Sequence, residues 1–192
     1  MSRNMTTVQQ RSSIRFGSAK FEVGETEESL VDLGAMRGIT FEESWDELQV
    51  KSDNAGVIVA GITNHGAKIS GELMEINLKT LATIRGGIDK YDEIPADQET
   101  GKKAARKLLT GGASTFQPRI ARITNYNEAG EEFRITIFKA NAATGLNITF
   151  PEADGEDPAM TPIEMTGTPD TNKAVGEQLF EIWDEQGVIP TP

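Results

Sequence analysis

Short segments in which apolar and polar residues alternate recur along the chain. In the first of them, Phe21 and Val23 alternate with Lys20 and Glu22. A period of two places every second side chain on one face, which is typical of a half-buried β-strand. Further strands are predicted over residues 37–41, 48–50, 57–62, 67–76, 120–125, 133–140, 146–150 and 179–183. This pattern restricts the chain to a mainly β fold of about eight or nine strands.

Residues that tolerate a positive φ predict the turns between these strands. Residues 53–56, 64–66 and 127–130 are rich in Asn and Gly, so a turn is expected at each of them. The turn at 127–130 separates two strand segments and therefore indicates a hairpin. Residues 151–170 contain four prolines and are expected to form a long loop.

One segment has the spacing of a helix instead. Asn77 is a suitable N-cap, and Leu78 and Leu81 begin an apolar face with helical periodicity. The helix is expected over residues 78–85, because the following glycine pair can adopt the left-handed conformation that ends a helix. A second helix is expected over residues 102–109.

Length and pattern together predict one domain with an arm at each end. The 192 residues are enough for a buried core without a metal or a disulfide. Residues 1–13 are polar and predict a flexible arm, and residues 186–192 form a short tail. Residues 14–185 are predicted to fold as a β-sandwich or open barrel with one helix packed on its flank.

Charge and composition exclude several classes of protein. The net charge is −11, so the chain is not expected to wrap nucleic acid. Residues 141–192 carry Lys173 against ten acidic residues, which gives −9 for this segment alone. There is no cysteine, and no apolar run is long enough to span a bilayer. The N-terminus lacks the apolar stretch of a signal peptide, so we expect a soluble intracellular protein without a membrane partner.

The chain offers little for catalysis, cofactor binding or metal binding. The single histidine, His65, lies in a predicted turn and is expected to be exposed, because a general base needs a positioned partner. The acidic residues at 154–157 resemble only half of a calcium loop. No phosphate-binding loop or nucleophile motif is present. We therefore predict no catalytic residue, no cofactor and no metal, and a structural or interaction protein in place of an enzyme.

Two groups of residues are candidates for an interface between subunits. A basic stripe on the second predicted helix could contact phosphate or an acidic neighbour, or could simply be a solvated face. It consists of Lys102, Lys103, Arg106 and Lys107. Trp45 and Trp183 are the best single anchors, since aromatic side chains dominate interface energetics. Packing in the core is the alternative for both tryptophans.

The order of these elements resembles the major tail tube proteins of long-tailed, siphovirus-type bacteriophages. The resemblance rests on three segments. Residues 34–53 are strands, residues 67–78 are a long strand that runs into the helix, and residues 119–150 are two hairpins that are followed by the last strand at 179–183. It implies hexameric rings that stack into a hollow tube and pass DNA during ejection without binding it specifically. In this family a long loop between early strands often contacts the next ring, and its expected counterpart here, the loop at 42–46, is short. It also implies a place in the virion tail, synthesis in the host cytoplasm, and the tape measure, tail terminator and tail-tip proteins as partners.

Three other functions remain open at this point. The first is the tube protein of a contractile tail or of a type VI-like secretion system, which shares the fold. The second is a monomeric carbohydrate- or protein-binding β-sandwich, although such modules usually expose more aromatic residues than the two Trp and two Tyr present here. The third is an enzyme with an acidic metal site.

Overall fold

The computed structural model describes residues 15, 17–54, 56–112, 115–152 and 158–186. Two of the predicted features fall largely outside this range. The arm at residues 1–13 lies outside the described residues, and of the predicted tail only Gln186 lies within them. The acidic loop at 154–157 also lies outside them.

The described residues contain ten strands, one α-helix and a short 3₁₀ helix at Glu27–Ser29. The elements are β1 (Lys20–Gly24), β2 (Val31–Asp32), β3 (Met36–Ser52), β4 (Gly56–Leu73), α1 (Leu78–Ile84), β5 (Asp89–Ile94), β6 (Ala105–Thr110), β7 (Arg119–Tyr126), β8 (Glu132–Ala142), β9 (Thr161–Gly167) and β10 (Phe180–Asp184). The mainly β prediction and the helix at residues 78–85 are thus confirmed. The predicted hairpin around 127–130 is also present, as β7 and β8.

Eight strands form one antiparallel sheet. Seven of them follow the order β2-β1-β7-β8-β9-β4-β3, and β10 pairs with the first half of β8. The two outermost strands, β2 and β3, are consecutive in the chain and are separated only by residues 33–35. The sheet therefore bends enough to bring one end of β2 close to the beginning of β3.

The core lies inside this curved sheet and is covered by α1. Phe21, Ile69, Ile137 and Met165, from four different strands, have at most 1% of their surface exposed. Leu81 of α1 packs into the same cluster. The helix begins where the Asn77 side chain accepts a hydrogen bond from the backbone N–H of Lys79, as the capping prediction required.

Strands β3 and β4 are far longer than their segments in the sequence analysis. The predicted loop at 42–46 lies inside β3, with Glu43 opposite Ala67 and Asp46 opposite Thr63. The predicted turn at 64–66 lies inside β4. Asn64 does adopt a positive φ of 52°, but it does so at a shift in strand register. The turn prediction was wrong because a β-bulge uses the same residue types as a turn. The loop expectation was wrong because residues 42–46 pair with β4 and continue the strand.

The second predicted helix is also wrong, since residues 105–110 form strand β6. This strand pairs with β5 as a separate two-stranded sheet, in which Asp92 lies opposite Lys107 and Glu93 opposite Arg106. Opposite charges across a strand pair stabilise it. These tertiary contacts override the helix preference of Lys, Ala, Arg and Leu.

Two predictions between residues 143 and 170 need correction. The segment expected to be a long loop contains β9, in which Ile163 and Met165 are buried. Pro162 is tolerated there because β8 pairs only with Met165 and later residues of β9. The strand expected at 146–150 is reduced to a single bridge between Thr149 and Met160.

Candidate assembly surface

A two-stranded ribbon projects beyond the sheet. It consists of residues 44–52 of β3 and 56–66 of β4, which are hydrogen-bonded to each other from Ser44 and Gly66 to Ser52 and Gly56. Within the described residues, β9 pairs only with Lys68–Leu73 of β4, so the ribbon has no third strand. Nine residues of extended chain give it a length of about 30 Å.

Four aromatic rings hold the ribbon at the point where it leaves the sheet. The ring centroids of Phe41 and Phe180 are 5.1 Å apart, and His65 lies 6.4 Å from Phe180 and 6.3 Å from Trp45. All three contacts are edge-to-face, a favourable geometry for aromatic pairs. The Nε2 atom of His65 is 2.7 Å from a carboxylate oxygen of Glu43. This ring cluster connects β3 and β4 to β10.

The ribbon exposes large apolar side chains on both of its faces. The front face continues from the ring cluster and carries Trp45 and Ile62, which are 54% and 64% exposed. Successive residues of a strand point to opposite sides. The back face therefore carries Leu48 and Val50, which are also about half exposed. A two-stranded ribbon has no core of its own, so neither apolar face is covered within the described chain.

Among the described residues, no strand pairs with the outer edge of β3. In the described part of the chain, β3 pairs only with β4, and β10 pairs only with β8. An unpaired strand presents free backbone N–H and C=O groups to any other strand that approaches. A 17-residue edge next to exposed apolar side chains is a surface on which another chain can assemble.

Both predicted tryptophan anchors lie at this end of the molecule and neither belongs to the core. Trp45 is on the front face of the ribbon. Trp183 lies on β10, about half exposed, with the Arg134 guanidinium 5.0 Å above its ring. Neighbouring Ile182 is equally exposed. The sequence did not reveal that these strands are exposed. Ile58, Ile62 and Leu48 are exposed here, but Ile and Leu are residue types that usually occur in buried strands.

The four basic candidates do not form the stripe that a helix would have produced. Arg106 and Lys107 are neighbours on β6 and point to opposite faces, each opposite an acidic residue of β5. Lys102 precedes the strand and forms a two-way backbone bridge with Asp97. Lys103 is exposed. The hairpin of β5 and β6 thus carries its own compensating charges.

The described residues contain no group of three His, Asp or Glu side chains placed to hold a metal ion. Nor does the described chain have a helix of the length and apolarity needed to cross a membrane. His65 is about half exposed and lies in a strand, paired with Glu43 and flanked by Trp45 and Phe180.

No family model and no curated protein matches the sequence. Solved structures do match the fold. One is a chain in the cryo-EM structure of the anti-feeding prophage cap, described as the AFP tube terminating cap. It has a TM-score of 0.52 and 11% identity, and the match covers 94% of this chain and 96% of that one. The chain has a tail-tube-like β fold.

A second solved structure supports the same fold. It is a chain in an extracellular contractile injection system, the PVC sheath-tube complex in its extended state. The TM-score is 0.50 and the identity 11%, with 85% of this chain and 95% of that chain covered. The tail-tube-like fold inferred from the order of strands and helix is therefore confirmed, while the restriction to long-tailed phages is not.

Proposed function

We propose that this protein is a structural subunit that polymerises with its own copies, as stacked hexameric rings, into the tube of an injection or tail assembly. The observation that carries the proposal is the ribbon. A tail-tube-like fold here projects a two-stranded extension with two exposed apolar faces and a 17-residue open edge. An open strand edge beside exposed apolar side chains is a surface on which other chains assemble.

The tube of a contractile system is the form that we favour. Of the two matched structures described above, one is described as an extracellular contractile injection system with its sheath-tube complex, and the other as a tube terminating cap. A tube of this kind works with sheath, terminator and tip components. In the tail of a long-tailed phage, the same subunit would surround the tape measure protein and then the DNA, without binding either of them specifically.

The net charge of −11 suits a conduit for DNA or for acidic cargo. A wall of the same sign as the phosphates repels them and lets the cargo slide. We expect the residues that face the lumen to be net negative. A reconstruction of the tube with a net positive lumen would contradict this part of the proposal.

A tube-terminating cap is the second candidate function. The match to the AFP cap covers nearly the full length of both chains, which favours it specifically. A cap has the same ring but offers only one stacking surface. The two candidates therefore predict different assemblies from the purified chain.

Electron microscopy of the concentrated protein tests the proposal and separates the candidates. A tube subunit forms stacked rings of variable length, whereas a cap forms single rings. Isolated particles of monomer size at every concentration would refute both and favour the binding module. Six-fold symmetry in class averages would support the hexamer.

A further inference from the structure

The geometry points to one specific contact: the front face of the ribbon on one copy packs against the back face of the ribbon on the next copy. This rests on the proposed function, because it names a second copy as the occupant. The front face contributes Trp45 and Ile62, and the back face contributes Leu48 and the bare backbone at Gly61.

The shape of the back face supports this contact. Leu48 lies directly opposite Gly61, so a large side chain stands beside a position that has none. A Cβ built on Gly61 meets no atom within 4 Å, which leaves open space next to Leu48. On the front face, Ile62 projects with 64% of its surface exposed. The protruding Ile62 of one copy fits into the open space at Gly61, beside Leu48, of the next copy.

The distribution of charge argues for a second copy as the partner. Copies of a chain with a net charge of −11 repel each other unless they meet where charge is absent. On the β4 side of the ribbon, residues 56–67 contain no Asp, Glu, Lys or Arg, although charged residues make up 26% of the chain. The acidic residues of the two faces, Asp46 on the back and Glu47 on the front, lie on β3, so the copies meet along β4. Depletion of charge is what distinguishes the centre of a protein interface.

The size of the ribbon explains why the contact repeats. A ribbon about 30 Å long and roughly 10 Å wide offers on the order of 300 Å² per face. That is less than the roughly 800 Å² per partner of a stable complex. A copy in an array uses its front face and its back face together. Because the two surfaces differ, the contact is head-to-tail and closes into a ring or extends as a stack.

Two variants that each lose one face test this contact. Ile62→Glu places a charge on the front face, and Gly61→Phe fills the gap on the back face. Leu48→Glu is a second back-face variant. All three positions are exposed, and Gly61 is not among the glycines with positive φ, so the folded monomer should tolerate each change. Thermal unfolding of each variant confirms this.

Sedimentation velocity then distinguishes the outcomes. Each variant alone should remain at the monomer mass of 20.9 kDa. An equimolar mixture of Ile62→Glu with Gly61→Phe restores a single contact, because one intact front face meets one intact back face. That contact is small, so the mixture should shift towards a weak dimer of two 20.9 kDa chains only at high concentration, and towards nothing larger. Gly145→Phe, at another glycine with open space around it, should assemble like the wild type.

Other results would overturn the inference. Either variant assembling alone like the wild type, or a mixture that stays monomeric, would exclude the front-to-back contact. Wild-type tubes together with unaffected variants would leave the proposed function standing and remove only this interface. Dimers in the mixture, together with a wild-type protein that forms no rings or tubes, would support the front-to-back contact and contradict the proposed function.

Discussion

The Nε atom of Arg85, at the end of α1, lies 2.7 Å from a carboxylate oxygen of Asp89, the first residue of β5. The Asp89 side chain is fully buried. The Arg85 guanidinium also donates a hydrogen bond to the hydroxyl of Thr110, which lies opposite Asp89 at the end of β6. One arginine therefore connects the helix to the first residue of β5 and the last residue of β6, which lie opposite each other at the open end of the hairpin.

Replacing Asp89 should destabilise the protein strongly. Asp89→Ala leaves the Arg85 charge without its partner, and the loss of one member of a buried pair costs about 3 kcal/mol. Urea unfolding measures this free energy. Asp92→Ala, in the more exposed pair with Lys90, should cost less than about 1 kcal/mol and serves as the control. Equal effects would contradict the role of Asp89.

Gly86, just after α1, should not accept a side chain. Its φ is +60°, and a Cβ added there would lie 2.4 Å from the backbone oxygen of Gln117. Gly101 has a similar φ of +69° but no atom within 4 Å. Gly101→Ala should cost about 1–2 kcal/mol for the left-handed backbone alone. Gly86→Ala should lower the urea midpoint clearly further, and equal midpoints would show that the close approach is unimportant.

Gly86 shows what the sequence could predict. Local signals were enough for α1, because Asn77, the apolar spacing and the glycine pair at 86–87 all lie within a few residues of each other. The same is true of the β7–β8 hairpin and its turn. Where neighbours in sequence are also neighbours in space, residue type determines the structure directly.

The ribbon and the β5–β6 hairpin could not be predicted in this way. Asn64 and Gly66 favour a turn locally. In the structure, β4 pairs with β3 both before and after Asn64, so the positive φ of Asn64 occurs in a β-bulge within the strand. Residues 102–109 favour a helix until Asp92 and Glu93 lie opposite them. The candidate assembly surface was missed except for Trp45, since exposed and buried β-branched residues look alike in sequence.

The ion pair of Asp170 with Lys139 should make stability depend on acid pH. Lys139, 2.8 Å away, lowers the pKa of Asp170 below its usual value of 3.8. The contribution to stability is thus full above the unfolded value and is lost as the pH falls through the lower folded one. Asp170→Asn should lower Tm at pH 7 and have no effect near pH 2.

A second variant controls for the loss of the carboxylate itself. Lys139→Met removes the partner, so adding Asp170→Asn to it should lower Tm at pH 7 by much less than in the wild type. Fully additive effects would show that the two residues do not interact in solution.

The fluorescence of Trp45 should report the covering of the ribbon. Trp183→Phe leaves Trp45 as the only tryptophan, because the chain contains two. Its emission should move to shorter wavelength and its quenching by acrylamide should fall as the protein concentration rises. The same variant with Gly61→Phe should show neither change. A wavelength that stays constant in both would mean that Trp45 remains in water.

The most direct test of the central claim is the mass of the wild-type protein in solution. Sedimentation velocity over a wide range of concentrations should show the 20.9 kDa chain giving way to a six-chain species of about 125 kDa, followed by larger multiples of that species. A single 20.9 kDa species at every concentration would contradict the assembly of this protein into rings.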